Sequence, residues 1–217
     1  MQITLASGSP RRAELLRLTG WTFDTCETRV EETRPEGEEP LARAVRLARE
    51  KASASARVCR ENGVTLAADT VVAAGKRILD KPQDDGQAAE MLQMLRGGVH
   101  QVITAIVLTG ADRQQVEACR TDVPMREYSP QEQADYIAGG SPFDKAGGYG
   151  IQDADFNPVD VDALNGCYAN VMGLPLCHLV RAMRSMGYEP PADVPAACQQ
   201  YTGYDCGVYE AILEGDL

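Results

Sequence analysis

Along this chain, short unbroken apolar runs alternate with stretches in which apolar residues recur every third or fourth position. Val64 to Ala74 (VTLAADTVVAA) and Val99 to Leu108 are near-continuous and of strand length, which predicts buried strands, the first followed by a turn at Gly75-Lys76. Ile3 and Leu5 predict a strand at the start, and Gln115 to Met125 alternates enough to be another. Leu41, Val45, Ala48 and Ala52 fall at helical spacing, so Pro40 to about Arg60 reads as a helix ending at Gly63, with Arg43, Arg46 and Glu50 on its wet side and Lys51 at the margin of its apolar face. Further helices are predicted over Asp84 to Arg96, closed by Gly97-Gly98; from the capping box Ser129-Pro130-Gln131-Glu132 to Gly139-Gly140; and from Pro175 to Met186. Asn165-Gly166 between Val159–Leu164 and Cys167–Val171 carries a type I′ hairpin signal, so part of the sheet is expected to be antiparallel. Interleaved strands and helices with one hairpin indicate an α/β fold around a mixed central sheet.

Composition narrows the picture. With 217 residues, 44% of them hydrophobic, the chain can bury a substantial core. The net charge of −11 argues against a protein that coats nucleic acid or an anionic membrane, so an anionic ligand has to be met by a local basic cluster. No run approaches the roughly 20 apolar residues of a membrane span, and the first residues lack a signal-like charged segment; a cytoplasmic protein is expected. Seven cysteines form an odd set without a CxxC pair, which fits reduced thiols better than a disulfide framework. Pro190-Pro191, with Pro195 close behind, predicts a compact domain over residues 1–190 and a C-terminal extension over 191–217.

The candidate chemistry lies in polar residues held in apolar or glycine-rich settings. In Leu5 to Gly20 (LASGSPRRAELLRLTG), a strand runs into a helix with Ser9 as N-cap and Pro10 as first helical residue. Free backbone N–H groups and the positive helix end then face Ser7, Ser9, Arg11 and Arg12, which suits a polyphosphate. Asp69 interrupts the apolar run of its strand, and a carboxylate there needs a cation, hydrogen bonds or an altered pKa. With Glu32 from Val30–Glu32 it offers oxygen ligands for a divalent cation, while Arg11, Arg12, Lys51 and Lys81 offer cations for phosphate oxygens. Asp69 is the candidate base for an attacking water. The glycine-rich segment Ser141 to Gln152 (SPFDKAGGYGIQ) permits close backbone approach to a ligand, and the acidic stretch Asp153 to Ala163 follows it, where Asp153 and Asp155 read as metal contacts or as a solvated loop. No P-loop or Gly-x-Gly-x-x-Gly fingerprint is present.

These segments (SGSPRR, VEE, ADT, DKP and SPFDKAGGYGIQ), followed by GCYANVMGLPL at Gly166 to Leu176, resemble in order and spacing the motifs of Maf-type nucleoside triphosphate pyrophosphatases over roughly residues 3 to 187. The resemblance implies a fold like that of the inosine triphosphate pyrophosphatases (Ham1-like), with a central mixed sheet and two lobes around a cleft. It implies hydrolysis of a nucleoside triphosphate to the monophosphate and pyrophosphate with Mg²⁺ or Mn²⁺, Asp69 as catalytic residue, and Ser7, Arg12, Glu32, Lys51 and Lys81 as phosphate-binding and metal-binding positions. Arg11, Thr70 and Gln152 match the specificity positions of the branch that takes dTTP and UTP. The alternatives are a 7-methyl-GTP pyrophosphatase and a non-catalytic nucleotide-binding regulator of cell division, and a homodimer is common among proteins of this kind.

Overall fold

The computed structural model describes residues 1–59 and 63–216; Arg60, the expected helix end, lies outside them. Strands β1 (Gln2–Leu5), β2 (Thr22–Thr25), β3 (Val64–Ala74), β4 (Arg77–Leu79), β5 (Val99–Thr109) and β6 (Gln114–Pro124) form one mixed sheet in the order β2-β1-β3-β5-β6, with β4 also on β3. β1 runs parallel to β2 and β3, whereas β3 pairs antiparallel with β4 and β5, and β5 with β6. The expected mixed α/β sheet is therefore what forms.

The pairing of β3 matters most. One of its edges is covered by β5 from Thr65 to Ala73. The other is shared: β1 takes Val64 to Leu66, and β4 takes Val72 to Ala74. Between them, among the described residues, Ala67 to Val71 has no strand beside it, and the sheet is notched there.

Two apolar layers sandwich the sheet, and strand alternation assigns the side chains between them. Leu66, Ala68 and Val72 of β3 face the layer built by α1 (Pro10–Arg17), α3 (Asp85–Leu95), α5 (Tyr168–Met172) and α6 (Leu176–Ser185). Ala67 and Val71 face α2 (Pro40–Val58). The buried stripe of α2 runs through Arg43, Ala44, Leu47, Ala48 and Ala52, while Leu41 is exposed. This is rotated from the expected stripe: small alanines against Ala67 and Ala105 set the contact face, and Arg43, expected to be wet, is buried.

The Asn165-Gly166 hairpin does not form. Val159 makes only an isolated bridge to Met125, and Tyr168–Met172 is helical. Periodicity cannot separate a short apolar run in a strand from one in a buried helix, and here Asn170, fully buried, donates from Nδ2 to Val102 O and Thr121 Oγ1 of the sheet, both at 2.9 Å, which fixes the helical form. β2 carried no expectation, and α5 stands where a hairpin strand was expected; Pro175 does cap α6, but two further helices follow it. α7 (Val194–Thr202) and α8 (Tyr209–Glu214) follow, with Val194 and Ile212 buried and Tyr201 Oη donating to Glu14 of α1 at 3.0 Å.

The expectation of free thiols fails for two of the seven cysteines. Cys26, just past β2, and Cys59, just past α2, form a disulfide across 33 residues with their Cα atoms 6.1 Å apart. A pairing that distant in sequence, set by how a loop and a helix return to the same place, has no local signature. Closing a ring of that length stabilises the fold by about 3–4 kcal/mol through the entropy of the unfolded chain. Urea unfolding with and without a dithiol reductant measures this: the reduced protein is expected to unfold at lower urea, and coincident curves would mean that the link does not form.

Candidate active site

Alternation along β3 sends two neighbouring polar residues to opposite faces at the notch. Asp69, with 5% of its surface exposed, points to the α2 side, and Thr70 to the α1 and α5 side. Both line one cavity of about 380 Å³, together with Ser9, Arg11, Arg12, Glu32, Lys51, Lys81 and Gln152. The sequence-predicted site residues thus converge, apart from Ser7, which lies buried behind the wall.

On the α2 side, the rotated helix brings Lys51 inward. Its Nζ donates to Asp69 Oδ1 at 2.5 Å and to Glu32 Oε1 at 2.9 Å. The two carboxylates share this cation but differ in environment. Burial raises the Asp69 carboxyl above the usual aspartate range, and the charge and hydrogen bond of Lys51, with Arg12 behind, only partly oppose it. Burial also works against ionised Glu32, but Lys51, Lys81 and Arg43 together hold its carboxyl below the usual range. Two carboxylates on one ammonium are thus pushed in opposite directions, Asp69 up and Glu32 down.

On the α1 side, Ser9 caps the helix by accepting from Arg12 N, and Pro10 opens it, as expected. Arg12 reaches across the sheet: Nε donates to Gly173 O at 2.9 Å, Nη1 to Ser7 Oγ at 3.3 Å and Nη2 to Thr70 Oγ1 at 3.0 Å. A guanidinium has five N–H groups, so two remain for a ligand. Gly173 (φ 107°) ends α5 in a conformation open to glycine, and a Cβ there would crowd Thr70 Oγ1 at 3.2 Å. Thr70 Oγ1 also meets Thr104 Oγ1 at 3.0 Å, and Thr104 donates to Asn170 O at 3.1 Å, so the Thr70 hydroxyl proton is directed into the protein.

The opposite wall comes from Ser141 to Gln152. Arg11 Nη1 donates to Asp144 Oδ2 at 2.6 Å. Lys145, 9% exposed, donates to Asp144 Oδ1 at 2.8 Å and to the carbonyl of Ser141 at 2.6 Å. Asp144-Lys145 is therefore part of the cavity wall rather than a surface pair. Asp153 is largely withdrawn from solvent: it accepts from Tyr136 Oη at 2.6 Å and Ser141 Oγ at 2.9 Å.

Sequence reasoning passed over Arg43, which lines the cavity at 3% exposure, donates from Nη2 to Asp80 Oδ1 at 2.8 Å and leaves Nη1 buried without a hydrogen-bond partner. A helical wheel centred on Ala44 and Ala48 would have found it. Lys145 was visible as the one cation of a glycine-rich loop. His100 and His178 are buried away from these residues, His100 with Nε2 against Tyr149 Oη at 2.6 Å, in keeping with packing roles. Among the described residues, no helix is long and apolar enough to cross a membrane.

Comparison with known proteins gives this arrangement a lineage. The family model described as Maf-like protein matches residues 2–186. A dTTP/UTP pyrophosphatase of Dehalococcoides mccartyi is 43% identical over 192 residues, covering 87% of this chain and 84% of that protein. A dTTP/UTP pyrophosphatase of Thermomicrobium roseum is 42% identical over 207 residues, covering 92% and 93%. Among solved structures, the Staphylococcus aureus Ham1 protein is similar over 73% of this chain and 80% of its own, with a TM-score of 0.43 and 16% identity. From the motif order, its match along residues 2–186 and relatives of this identity over most of both chains, the protein belongs to the Maf family.

Proposed function

We propose that this protein hydrolyses dTTP and UTP, or modified pyrimidine nucleoside triphosphates, to the monophosphate and pyrophosphate. The observation that carries the reading is the Asp69–Lys51–Glu32 cluster at the notch of the sheet, faced by Arg11, Arg12 and Lys81. The names of the relatives supply the substrate class.

In this reading Asp69 accepts the proton of a water that attacks phosphorus, and pyrophosphate leaves. A carboxyl raised by burial is a better proton acceptor near neutral pH than an ordinary aspartate. Arg12, with two N–H groups uncommitted, and Lys81, exposed at the rim, take phosphate oxygens. Ser7 Oγ accepts from Ser9 N and Arg12 Nη1 and so steadies the guanidinium from behind the wall.

The donor set fits a divalent cation. Glu32 and Asp69 are hard oxygen ligands converging on the space where the Lys51 ammonium lies, so positive charge is favoured there. Among the described residues no group of three or more His, Cys, Asp or Glu is placed to hold an ion. Two carboxylates shared with substrate phosphates are what Mg²⁺ or Mn²⁺ needs, and such an ion neutralises phosphate charge when bound.

Pyrophosphate release from dTTP, UTP, CTP, GTP and 7-methyl-GTP with Mg²⁺ tests the reading. Release is expected from dTTP and UTP, abolished by chelation, and reduced about a thousandfold in Asp69→Asn with nucleotide binding retained. Release confined to 7-methyl-GTP would replace the pyrimidine assignment, and binding without release from any nucleotide would leave a regulator. A second prediction concerns pH. Protonated Asp69 cannot accept a proton, and its carboxyl is raised, so the acid limb of kcat/KM should lie above the ordinary aspartate value of about 4. Lys51 pulls that carboxyl down, so Lys51→Met should move the limb to higher pH; an unmoved limb would remove Asp69 as the titrating base.

A further inference from the structure

Gln152 lies at the boundary of two cavities. It lines the cavity that holds Asp69 and also a second one, of about 510 Å³, behind the wall. Asp153 lines only the second. Its Oδ2 is held by Tyr136 Oη at 2.6 Å, Ser141 Oγ at 2.9 Å and the Lys145 ammonium at 3.5 Å. Its Oδ1 remains for Gln152 Nε2 at 3.3 Å. The turn from Gly150 to Asp153, closed by Asp153 N donating to Gly150 O at 3.2 Å, sets the two side chains together. Gly150 leaves room for this contact: a Cβ there would lie 2.7 Å from Asp153 Oδ1, 2.8 Å from Gln152 Nε2 and 2.8 Å from Lys145 Cε.

We propose that Asp153 is a specificity-determining positioning residue, which locks the Gln152 amide in one orientation and thereby selects uracil and thymine over cytosine. A carboxylate only accepts hydrogen bonds, so only the amide nitrogen of Gln152 can face it. A flipped amide would set Oε1 against Oδ1, acceptor against acceptor. The amide is left with Oε1 and one N–H to offer the cavity. Uracil and thymine present an N3–H donor between two carbonyl acceptors, whereas cytosine presents an N3 acceptor beside an amino donor. With ribose and phosphates held in place, one amide orientation satisfies one of these edges and opposes the other. The lock extends further: Lys145, which holds Asp153, also holds Asp144, the partner of Arg11. Two of the positions assigned to the base are thus braced by one buried ammonium. The inference rests on the proposed pyrimidine nucleotide site.

The test measures dissociation constants for α,β-methylene analogues of UTP and CTP, with Mg²⁺, in the wild type, Asp153→Asn, Gly150→Ala, Gln152→Ala and Asp153→Asn/Gln152→Ala, each checked for folding by its Tm. An asparagine that keeps its oxygen toward Tyr136, Ser141 and Lys145 turns its NH2 to Gln152 and so favours the flipped amide; the alanine at 150 presses on Asp153 Oδ1, Gln152 Nε2 and Lys145 Cε while keeping the carboxylate. Both are expected to lower the UTP-over-CTP preference about tenfold, and Asp153→Asn should have no further effect once Gln152 is alanine. A preference that survives Asp153→Asn and Gly150→Ala but collapses in Gln152→Ala would overturn the proposal and leave Asp153 a structural tie. A preference untouched by Gln152→Ala would overturn it differently, because the base would not be read there. Failure of the hydrolytic reading is separate: the wild type would show the binding preference yet release no pyrophosphate from UTP.

Discussion

A buried carboxylate in the middle of a strand must be met by charge, and much of this structure follows from meeting that of Asp69. Desolvation disfavours its ionised form, so a cation has to be delivered to the interior side of β3. Lys51 can do this only if α2 lies close to the sheet. The alanines at 44, 48 and 52, packed on Ala67 and Ala105, permit that approach. A leucine stripe at those positions would hold the helix away and break the 2.5 Å contact. The smallness of one helix face is therefore an electrostatic device as much as a packing one.

The same strand divides two kinds of work. Its odd-numbered Asp69 belongs to the layer with α2, where Lys51 joins it to Glu32. Its even-numbered Thr70 belongs to the layer with α1 and α5, where Arg12 joins Ser7, Thr70 and Gly173. The two meet because, among the described residues, no strand covers Ala67 to Val71 on that edge. A cavity at a notch lets adjacent residues of opposite orientation serve one ligand, which a fully paired strand would forbid.

Much of this was legible in the sequence because the signals are local. Ser9-Pro10 and Ser129-Pro130-Gln131-Glu132 announce helix starts by hydrogen bonds within three residues, and both are made. Asp69 stood out because it breaks an apolar run. The readings that failed depended on distant contacts. Cys26 finds Cys59 only after a loop and a 19-residue helix have folded. Tyr168–Met172 is helical rather than extended because Asn170 is anchored to β5 and β6. Arg43 is buried because Asp80, from another segment, waits beside it. Asp153 looked like part of an acidic surface, and its meaning lies in Tyr136, Ser141 and Lys145.

The notch in β3 carries one more implication. Leu66 directs its carbonyl toward β1, where Ala6 N donates to it at 2.8 Å. Main-chain groups alternate sides along a strand, so Ala68 and Thr70 turn their N–H and C=O toward the same edge, where β1 has ended and β4 has not begun. These groups belong to the backbone itself. Short of proline, which removes an N–H, no substitution of a side chain deletes them. Part of what this cavity presents at Thr70 is thus inherited from the path of the chain rather than from the choice of side chain.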